Sequence, residues 1–391
     1  MRKGMILIGL GAAALALLAV PVLLAPRGKV APHPQPSAIS PAEHQATVEA
    51  LAPPKRQRPV IAIMALNEKT EVSDFLVSNG VLRESGVADV TIVAEQSRPI
   101  QLYPGALRVK PEATMSEFDA RVSDGADFVV VPAMEPNDDP AVLAWIKAQH
   151  AKGAKIVAIC NGAETAAAAG LLDGRRATAH WYNIGGLEAA HPTMKRVTDR
   201  RYVVDRGVAT STGITASMPM MTALVEAIAG RAKAEEIAAK LGLESWDERH
   251  SSQAFRLNAE HRKTYVRNRL SFWRHMTVGF PVEPNVDEIA LGLLVDAYSR
   301  TELATVATVG EADHFVRTRR GLEIAADRSA AAAAPDTMLR LTASEAPAQR
   351  LDRALAHIAA TYDRPTAAFV ALTMEYPWPE PRERDQRAQQ Q

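Results

Sequence analysis

A single cysteine, Cys160, lies where a predicted strand meets a predicted helix. Residues 155–159 are apolar and mostly β-branched, which is the pattern of a buried strand, and the Ala-rich run 164–172 predicts a helix. The turn at 160–163 would then form a nucleophile elbow that lifts the thiol clear of the sheet. Because the thiol would face the positive end of the helix, we expect its pKa to lie below that of free cysteine. The spacing alone leaves open that Cys160 is only a small buried apolar residue.

The predicted strands and helices on both sides of the elbow indicate where the cysteine would lie in the fold. Apolar strand patterns alternate with helix patterns from residue 60 to residue 241. This alternation predicts an α/β fold with a flavodoxin-like parallel sheet and helices on both faces. In such sheets the site lies outside the carboxyl ends of the strands, where both Cys160 and Ala133 would stand.

Two segments resemble the ThiJ/PfpI superfamily, which has the class I glutamine amidotransferase-like fold. The first consists of Cys160, Gly162 and Ala163 followed by matching residues within 169–181. The second is the segment 210–217. The pattern is most similar to the amidase-like domain of AraC-type (GlxA-like) transcriptional regulators and covers about residues 58–243. No AraC-type DNA-binding half follows in this sequence, so the resemblance does not imply direct contact with DNA.

The resemblance implies a catalytic set. Cys160 would be the nucleophile, His180 the proton shuttle, and Asp74 the acid from the first helix that hydrogen-bonds the cysteine. Glu71, one helical turn away, is the alternative acid. The residue pattern also allows His180 to be a packed histidine beside Trp181, and Asp74 to be an exposed helix residue.

Acyl-transfer chemistry also needs donors for an oxyanion. We predict that the backbone N–H groups of Asn161 and Ala133 supply them, with Gly162 completing the binding residues of the elbow. Glu164 adds a negative charge near the sulfur, which opposes the helix dipole.

The chain divides into six predicted segments. Residues 59–243 form the ThiJ/PfpI-like domain, and residues 244–284 form basic and aromatic connecting helices. Residues 285–376 form a C-terminal α/β segment that we interpret as a degenerate repeat of the first half. In that repeat, 369–373 would be the counterpart of the elbow strand, with Thr373 in the place of Cys160. An ordinary β-α-β pairing would look similar.

The two ends of the chain differ in composition from the body. Residues 1–25 combine a positive start with 21 uncharged residues, which predicts a transmembrane anchor, or alternatively a signal sequence. The composition of residues 26–58 predicts a Pro-rich linker, and that of residues 377–391 predicts a disordered tail. These features predict a membrane-anchored protein with a periplasmic or extracytoplasmic body.

The composition and motifs restrict the possible functions. Lysine plus arginine equals aspartate plus glutamate, at 45 each, so we expect no nucleic-acid partner. The sequence lacks metal-ligand spacings and a phosphate-binding glycine loop, so we expect no metal and no cofactor. The predicted partners are a small-molecule ligand or substrate and the membrane through the N-terminal helix. A homodimer with a second copy of the chain is left open.

Two classes of function remain open. One is a cysteine-dependent hydrolase or hydratase (amidase-like) acting on a small molecule. The other is a non-catalytic module that senses a ligand or an oxidant.

Overall fold

The computed structural model describes residues 36–105, 107–311, 314–329, 334–341 and 345–378. The first half of the chain contains twelve of the described strands. They are β1 (Val60–Ala65), β2 (Thr70–Glu71), β3 (Asp89–Ala94), β4 (Ile100–Tyr103), β5 (Leu107–Val109), β6 (Ala113–Thr114), β7 (Phe128–Val131), β8 (Lys155–Ala158), β9 (Arg176–Ala177), β10 (Lys195–Arg196), β11 (Tyr202–Asp205) and β12 (Val208–Ser211). The helices of this half are α1 (Pro41–Leu51), α2 (Val72–Ser85), α3 (Met115–Arg121), α4 (Pro140–Ala151), α5 (Gly162–Ala168), α6 (Ile184–Ala190), α7 (Ser217–Ala229) and α8 (Arg231–Leu241).

The central sheet has seven strands in the order β11–β12–β8–β7–β1–β3–β6. All neighbours are parallel except β11 and β12. Alternate residues of β1 enter opposite cores: Ile61 and Ile63 pack with α2 and α7, whereas Ala62 and Met64 pack with α4 and α5. The predicted α/β class, with a parallel-dominated sheet covered on both faces, is confirmed.

The second half contains a smaller sheet of the same type. The strands of this half are β13 (Met276–Pro281), β14 (Ala304–Gly310), β15 (Val316–Arg317), β16 (Glu323–Ala325), β17 (Arg328–Ser329) and β18 (Thr337–Met338). Its helices are α9 (Ala259–Leu270), α10 (Glu288–Ser299), α11 (Pro347–Thr361) and α12 (Arg364–Thr373). The parallel order β17–β14–β13–β18 is the same as the order β6–β3–β1–β7 in the first half. The interpretation of this half as a degenerate repeat remains a prediction.

The two halves pack closely along α2 and α10. A Cβ added to Gly80 would lie 2.3 Å from Ile289, and one added to Gly292 would lie 3.2 Å from Leu76. The helices can therefore approach this closely only because glycine stands at both crossings. A five-stranded sheet, β15–β16–β5–β4–β2, also combines strands from both halves.

The structure corrects three of the predicted segments. Residues 369–373 belong to helix α12, because Asp363 caps the helix and a proline occupies its first turn. β13 lies inside 244–284, where connecting helices were predicted. Within the predicted linker 26–58, Ser40 caps the helix α1, and Val48 and Leu51 are buried.

The predicted membrane anchor, 1–25, lies outside the described residues, as does 379–391 of the predicted tail. No helix in the part of the chain that the structure describes is both long enough and apolar enough to cross a bilayer. The predicted localisation, a membrane-anchored protein with an extracytoplasmic body, is therefore corrected: no element of the described residues supports it.

Candidate active site

Cys160 occupies a strained turn directly after β8. Its backbone φ is 56°, a value that side chains other than glycine rarely adopt. Two neighbouring strands hold the turn: the Ile159 N–H donates to the Val131 carbonyl at 2.9 Å, and the Cys160 N–H donates to Ser211 Oγ at 3.2 Å. Gly162 is required here, because a Cβ at this position would lie 2.0 Å from the Val131 carbonyl oxygen. The predicted strand–turn–helix elbow is therefore present.

The environment of the sulfur disfavours the thiolate. Only 4% of Cys160 is exposed, and burial raises the pKa of the thiol well above its ordinary value. The charges of Asp74 and Glu71 raise this pKa further, while Arg300 and the N–H of Asn161 lower it. The expectation of a low thiol pKa is therefore wrong, since desolvation and two carboxyl groups outweigh the N-terminus of the short helix α5.

Asp74 lies in the first turn of α2, Glu71 directly precedes this helix, and both are buried. Asp74 Oδ2 accepts a hydrogen bond from the Ala133 N–H at 3.1 Å, whereas Oδ1 has no hydrogen-bond partner among the described residues. Burial raises the pKa of Asp74 to about 8, with a further contribution from Asp296. Asp74 is therefore not an exposed helix residue, and a large fraction of it carries a proton near neutral pH.

Glu71 acts as the N-cap of α2. Its Oε2 accepts from the Asp74 N–H at 2.6 Å. Burial raises the pKa of Glu71 well above its ordinary value, and the charges of Asp296 and Asp74 add to the effect. Glu71 thus fixes the turn that carries Asp74, and it contributes a second buried carboxyl group near the thiol.

The predicted oxyanion donors are only partly available. The Asn161 N–H interacts with the sulfur and lowers the pKa of the thiol. The Ala133 N–H is already bonded to Asp74, and the Gly162 N–H donates to the Ile159 carbonyl at 2.7 Å. Of the three predicted groups, the Asn161 N–H is the one directed at the sulfur.

His180 is buried and held by backbone groups on both sides. Its Nε2 lies 3.0 Å from the Thr373 carbonyl oxygen, and the Tyr182 N–H donates to its Nδ1 at 3.3 Å. This pattern requires the proton on Nε2. Burial lowers the pKa of His180, against the raising effect of the Glu375 carboxylate. In this conformation neither ring nitrogen is free to accept the thiol proton, so the predicted shuttle role of His180 does not fit the geometry.

Several groups at the site were not predicted from the sequence. Arg300, the C-cap of α10, lies with Nε 2.7 Å from Asp296 Oδ1 and Nη2 3.6 Å from Glu71 Oε1. The pairing of β2 with β4 places Tyr103 opposite Glu71. Burial raises the pKa of Tyr103, and the charges of Glu71, Asp74 and Cys160 raise it further. The spacing of Asp296 and Arg300, four residues apart on a helix, was the available signal, but nothing in it points to Cys160.

A cavity of about 350 Å³ lies beside His180. Aromatic, basic and acidic side chains contribute to its lining, among them Trp181, Tyr182, Phe255, Arg196, Arg256 and Glu375. The Glu375 carboxylate accepts from the Gly213 N–H, and its Oε1 lies 3.0 Å from His250 Nε2. Cys160 does not line this cavity, so the thiol and the cavity are separate in the present conformation.

The chain is similar in sequence to a transcriptional regulator and to a hydratase. The chain is 37% identical to the HTH-type transcriptional regulator CdhR of Pseudomonas aeruginosa over 86 residues, which are 22% of this chain and 25% of the regulator. It is 32% identical to the isonitrile hydratase of Pseudomonas putida over 129 residues, covering 32% of this chain and 53% of the hydratase. The chain thus spans about a quarter of the length of the regulator and about half of the hydratase.

A solved structure and a family profile also match part of the chain. A DJ-1 superfamily protein from Salmonella typhimurium superposes with a TM-score of 0.42 at 25% identity, covering 47% of this chain and 98% of that structure. The profile of the DJ-1/PfpI family matches residues 60–227, which include Asp74, Cys160 and His180. Residues 60–227 are therefore a domain of the DJ-1/PfpI family.

Proposed function

We propose that Cys160 and Asp74 carry out covalent cysteine chemistry of the hydratase or hydrolase kind on a small molecule. The proposal depends on the hydrogen bonding and the raised pKa of the Asp74 carboxyl group. Its Oδ2 is held by the Ala133 N–H, its Oδ1 has no hydrogen-bond partner among the described residues, and its charge acts on the Cys160 thiol. With a pKa of about 8, Asp74 can donate and accept a proton near neutral pH, as a general acid–base group must.

Hydration of a carbon–nitrogen triple bond illustrates the chemistry. The sulfur of Cys160 would form a bond to the electrophilic carbon of a nitrile. Asp74 would give its proton to the nitrogen and take the proton that leaves the thiol. Water would then add to the same carbon, the carbon–sulfur bond would break, and the thiol would recover a proton as the amide departs. The Asn161 N–H, which interacts with the sulfur, would stabilise negative charge there.

Two further observations support this reaction class. The isonitrile hydratase of Pseudomonas putida, whose name describes a hydration at a carbon–nitrogen bond, is 32% identical over 129 residues. The 4% exposure of Cys160 favours a small substrate, which would reach the sulfur only after neighbouring side chains move.

The test is turnover by the purified full chain on a panel of isonitriles, nitriles, primary amides and small aldehydes. We expect turnover of at least one class and a covalent adduct on Cys160 in the intact mass. Cys160→Ser and Asp74→Asn should each abolish turnover, whereas the exposed Asp138→Asn should not. Absence of turnover across the panel, or full activity of Cys160→Ser, would count against the proposal.

A non-catalytic sensor is the second candidate, and the burial and raised pKa of the thiol favour it. The similarity to CdhR, an HTH-type transcriptional regulator, points the same way. A sensor would bind a small molecule without consuming it, and Cys160→Ala would retain that binding. Calorimetric titration with the same panel separates the two functions.

A further inference from the structure

We infer that the C-terminal half completes the Cys160 site, with Arg300 as a positioning residue that holds Glu71 and supplies the counter-charge for the thiolate. The inference rests on Cys160 being the reactive group of the proposed function. It is tested on the thiol itself, so that it does not depend on finding a substrate.

Arg300 connects carboxyl groups from both halves of the chain. Its Nε lies 2.7 Å from Asp296 Oδ1 on its own helix, and its Nη2 lies 3.6 Å from Glu71 Oε1 at the start of α2. Asp296 and Glu71 are both buried, and the Arg300 side chain is only 24% exposed. An ion pair in such a setting is screened far less than one at the surface.

The contact with Glu71 extends to the candidate acid. Glu71 Oε2 receives the Asp74 N–H at 2.6 Å, so Arg300, Glu71 and Asp74 form a continuous chain of contacts. Loss of Arg300 would free Glu71 to turn away and would loosen the first turn of α2. The effect would reach Asp74 through the backbone, without direct contact between Arg300 and the reacting atoms.

Three carboxyl oxygens of the cluster accept no hydrogen bond from the part of the chain that the structure describes. Glu71 Oε1, Asp74 Oδ1 and Asp296 Oδ2 are buried without a hydrogen-bond partner among the described residues. Three carboxyl groups and a thiol therefore share a buried region with the guanidinium of Arg300. Arg300 lowers the pKa of Cys160, Glu71 and Asp74, which favours the charged form of each.

The groups that act on this cluster come from several elements. Glu71 ends β2 and caps α2, which carries Asp74. Tyr103 ends β4, and Asp296 and Arg300 belong to α10 and its cap. Glu135 and His180 are linked to the cluster indirectly. The charge of Glu135 raises the pKa of Tyr103, and the charge of Arg300 lowers the pKa of His180. Arg300 is the one positively charged residue among the five named first. Its substitution by glutamine therefore removes that charge and leaves the acidic side chains in place.

The experiment measures the rate of iodoacetamide alkylation of the full chain against pH. Since the chain has one cysteine, the reaction reports Cys160 alone. We expect Arg300→Gln to raise the midpoint of the pH profile by about one unit or more, which is about tenfold slower alkylation at a fixed pH. Arg300→Lys, which keeps the charge, should stay closer to the parent protein.

Arg319→Gln is the matched control. Arg319 also belongs to the C-terminal half and pairs with Asp287 at 3.0 Å, but it is not among the groups that act on the thiol. We expect it to leave the midpoint unchanged. An equal shift in Arg319→Gln would mean that any loosening of the two halves moves the thiol, and this would overturn the inference, as would a parent-like midpoint in Arg300→Gln.

Asp296→Asn keeps the test decisive if Arg300→Gln fails to fold. Removal of the carboxylate nearest to Arg300 leaves more of the guanidinium charge for Glu71 and the thiol, so the midpoint should fall. An unchanged or raised midpoint would contradict the inference. A panel without turnover, combined with the predicted shifts, would instead remove the proposed enzymatic function and leave the role of Arg300 intact.

Discussion

His180 Nε2 lies 3.0 Å from the carbonyl oxygen of Thr373, the last residue of α12. The neighbouring Trp181 makes a parallel contact, since its Nε1–H donates to the Leu372 carbonyl at 2.9 Å. The C-terminal helix thus binds the loop that carries the predicted proton shuttle. Through this contact His180 helps to hold the two halves together, and its ring nitrogens do not serve the thiol.

The first prediction follows from this contact. His180→Ala should leave the pH profile of Cys160 alkylation unchanged, because neither ring nitrogen serves the sulfur. It should lower the free energy of unfolding by about 1–3 kcal/mol, the cost of leaving a buried carbonyl unpaired. Alkylation across pH and urea denaturation check the two parts. A shift of the alkylation midpoint by about one pH unit would restore His180 as a partner of the thiol.

The elbow itself provides the second prediction. In Gly162→Ala, the added Cβ would lie 2.0 Å from the Val131 carbonyl oxygen, so α5 and β7 must separate. Overpacking against backbone should cost about 3 kcal/mol or more in the free energy of unfolding. Urea denaturation measures this cost.

Gly186→Ala is the matched control for that substitution. Gly186 stands in the helix α6, and an added Cβ would meet nothing within 4 Å. Removal of a helical glycine should leave stability unchanged or raise it by about 0.5–1 kcal/mol. Equal stability of the two variants would show that the close contact at Gly162 has no energetic importance.

Local sequence patterns were sufficient to predict the elbow and the central sheet. Cys160 and Gly162 stand two positions apart, and the strand before them is apolar throughout, so neighbouring residues decide the structure. Asp74 was also placed correctly, on the first helix of the domain, but its burial was not evident from a helix that could equally have been exposed.

Contacts between distant parts of the chain could not be predicted in this way. Arg300 reaches Glu71, and Thr373 reaches His180, only because the second half folds back on the first. The apolar run at 369–373 fits a strand or a helix equally well, and the cap at Asp363 decides for the helix. The low thiol pKa was expected from one helix terminus, whereas burial, together with carboxyl groups that tertiary packing brings near the sulfur, raises this pKa.

The pH dependence of stability is the third prediction. The pKa of Asp74 is about 8 in the folded protein and has an ordinary value of 3.8, so the folded state keeps a proton that the unfolded state releases. This contribution to stability is fully present below 3.8 and is lost as the pH rises through about 8. The urea midpoint should therefore fall between pH 5 and about 8, and Asp74→Asn should reduce this slope. An identical slope in the variant would contradict the raised pKa.

The fourth prediction concerns the helix α1, which joins the domain through His44. Its Nδ1 lies 3.1 Å from Glu248 Oε2 and its Nε2 lies 3.1 Å from Glu226 Oε2, so a doubly protonated ring satisfies both buried carboxylates. His44→Ala would remove the imidazolium that pairs with both carboxylates and would leave Glu226 with Trp246 Nε1 and Arg231. It should cost about 3 kcal/mol in the free energy of unfolding. Gln45→Ala, at an exposed neighbouring position, should cost far less.

The same contacts give this loss a definite pH dependence. The hydrogen bond to Glu248, followed by that to Glu226, raises the pKa of His44 despite its burial. The stabilisation is therefore complete below the ordinary value of 6.5 and disappears as the pH rises through the higher folded value. The difference in urea midpoint between the parent protein and His44→Ala should be larger at pH 6 than at pH 9. A difference that grows with pH would mean that the ring is neutral and that the two glutamates are satisfied by other groups.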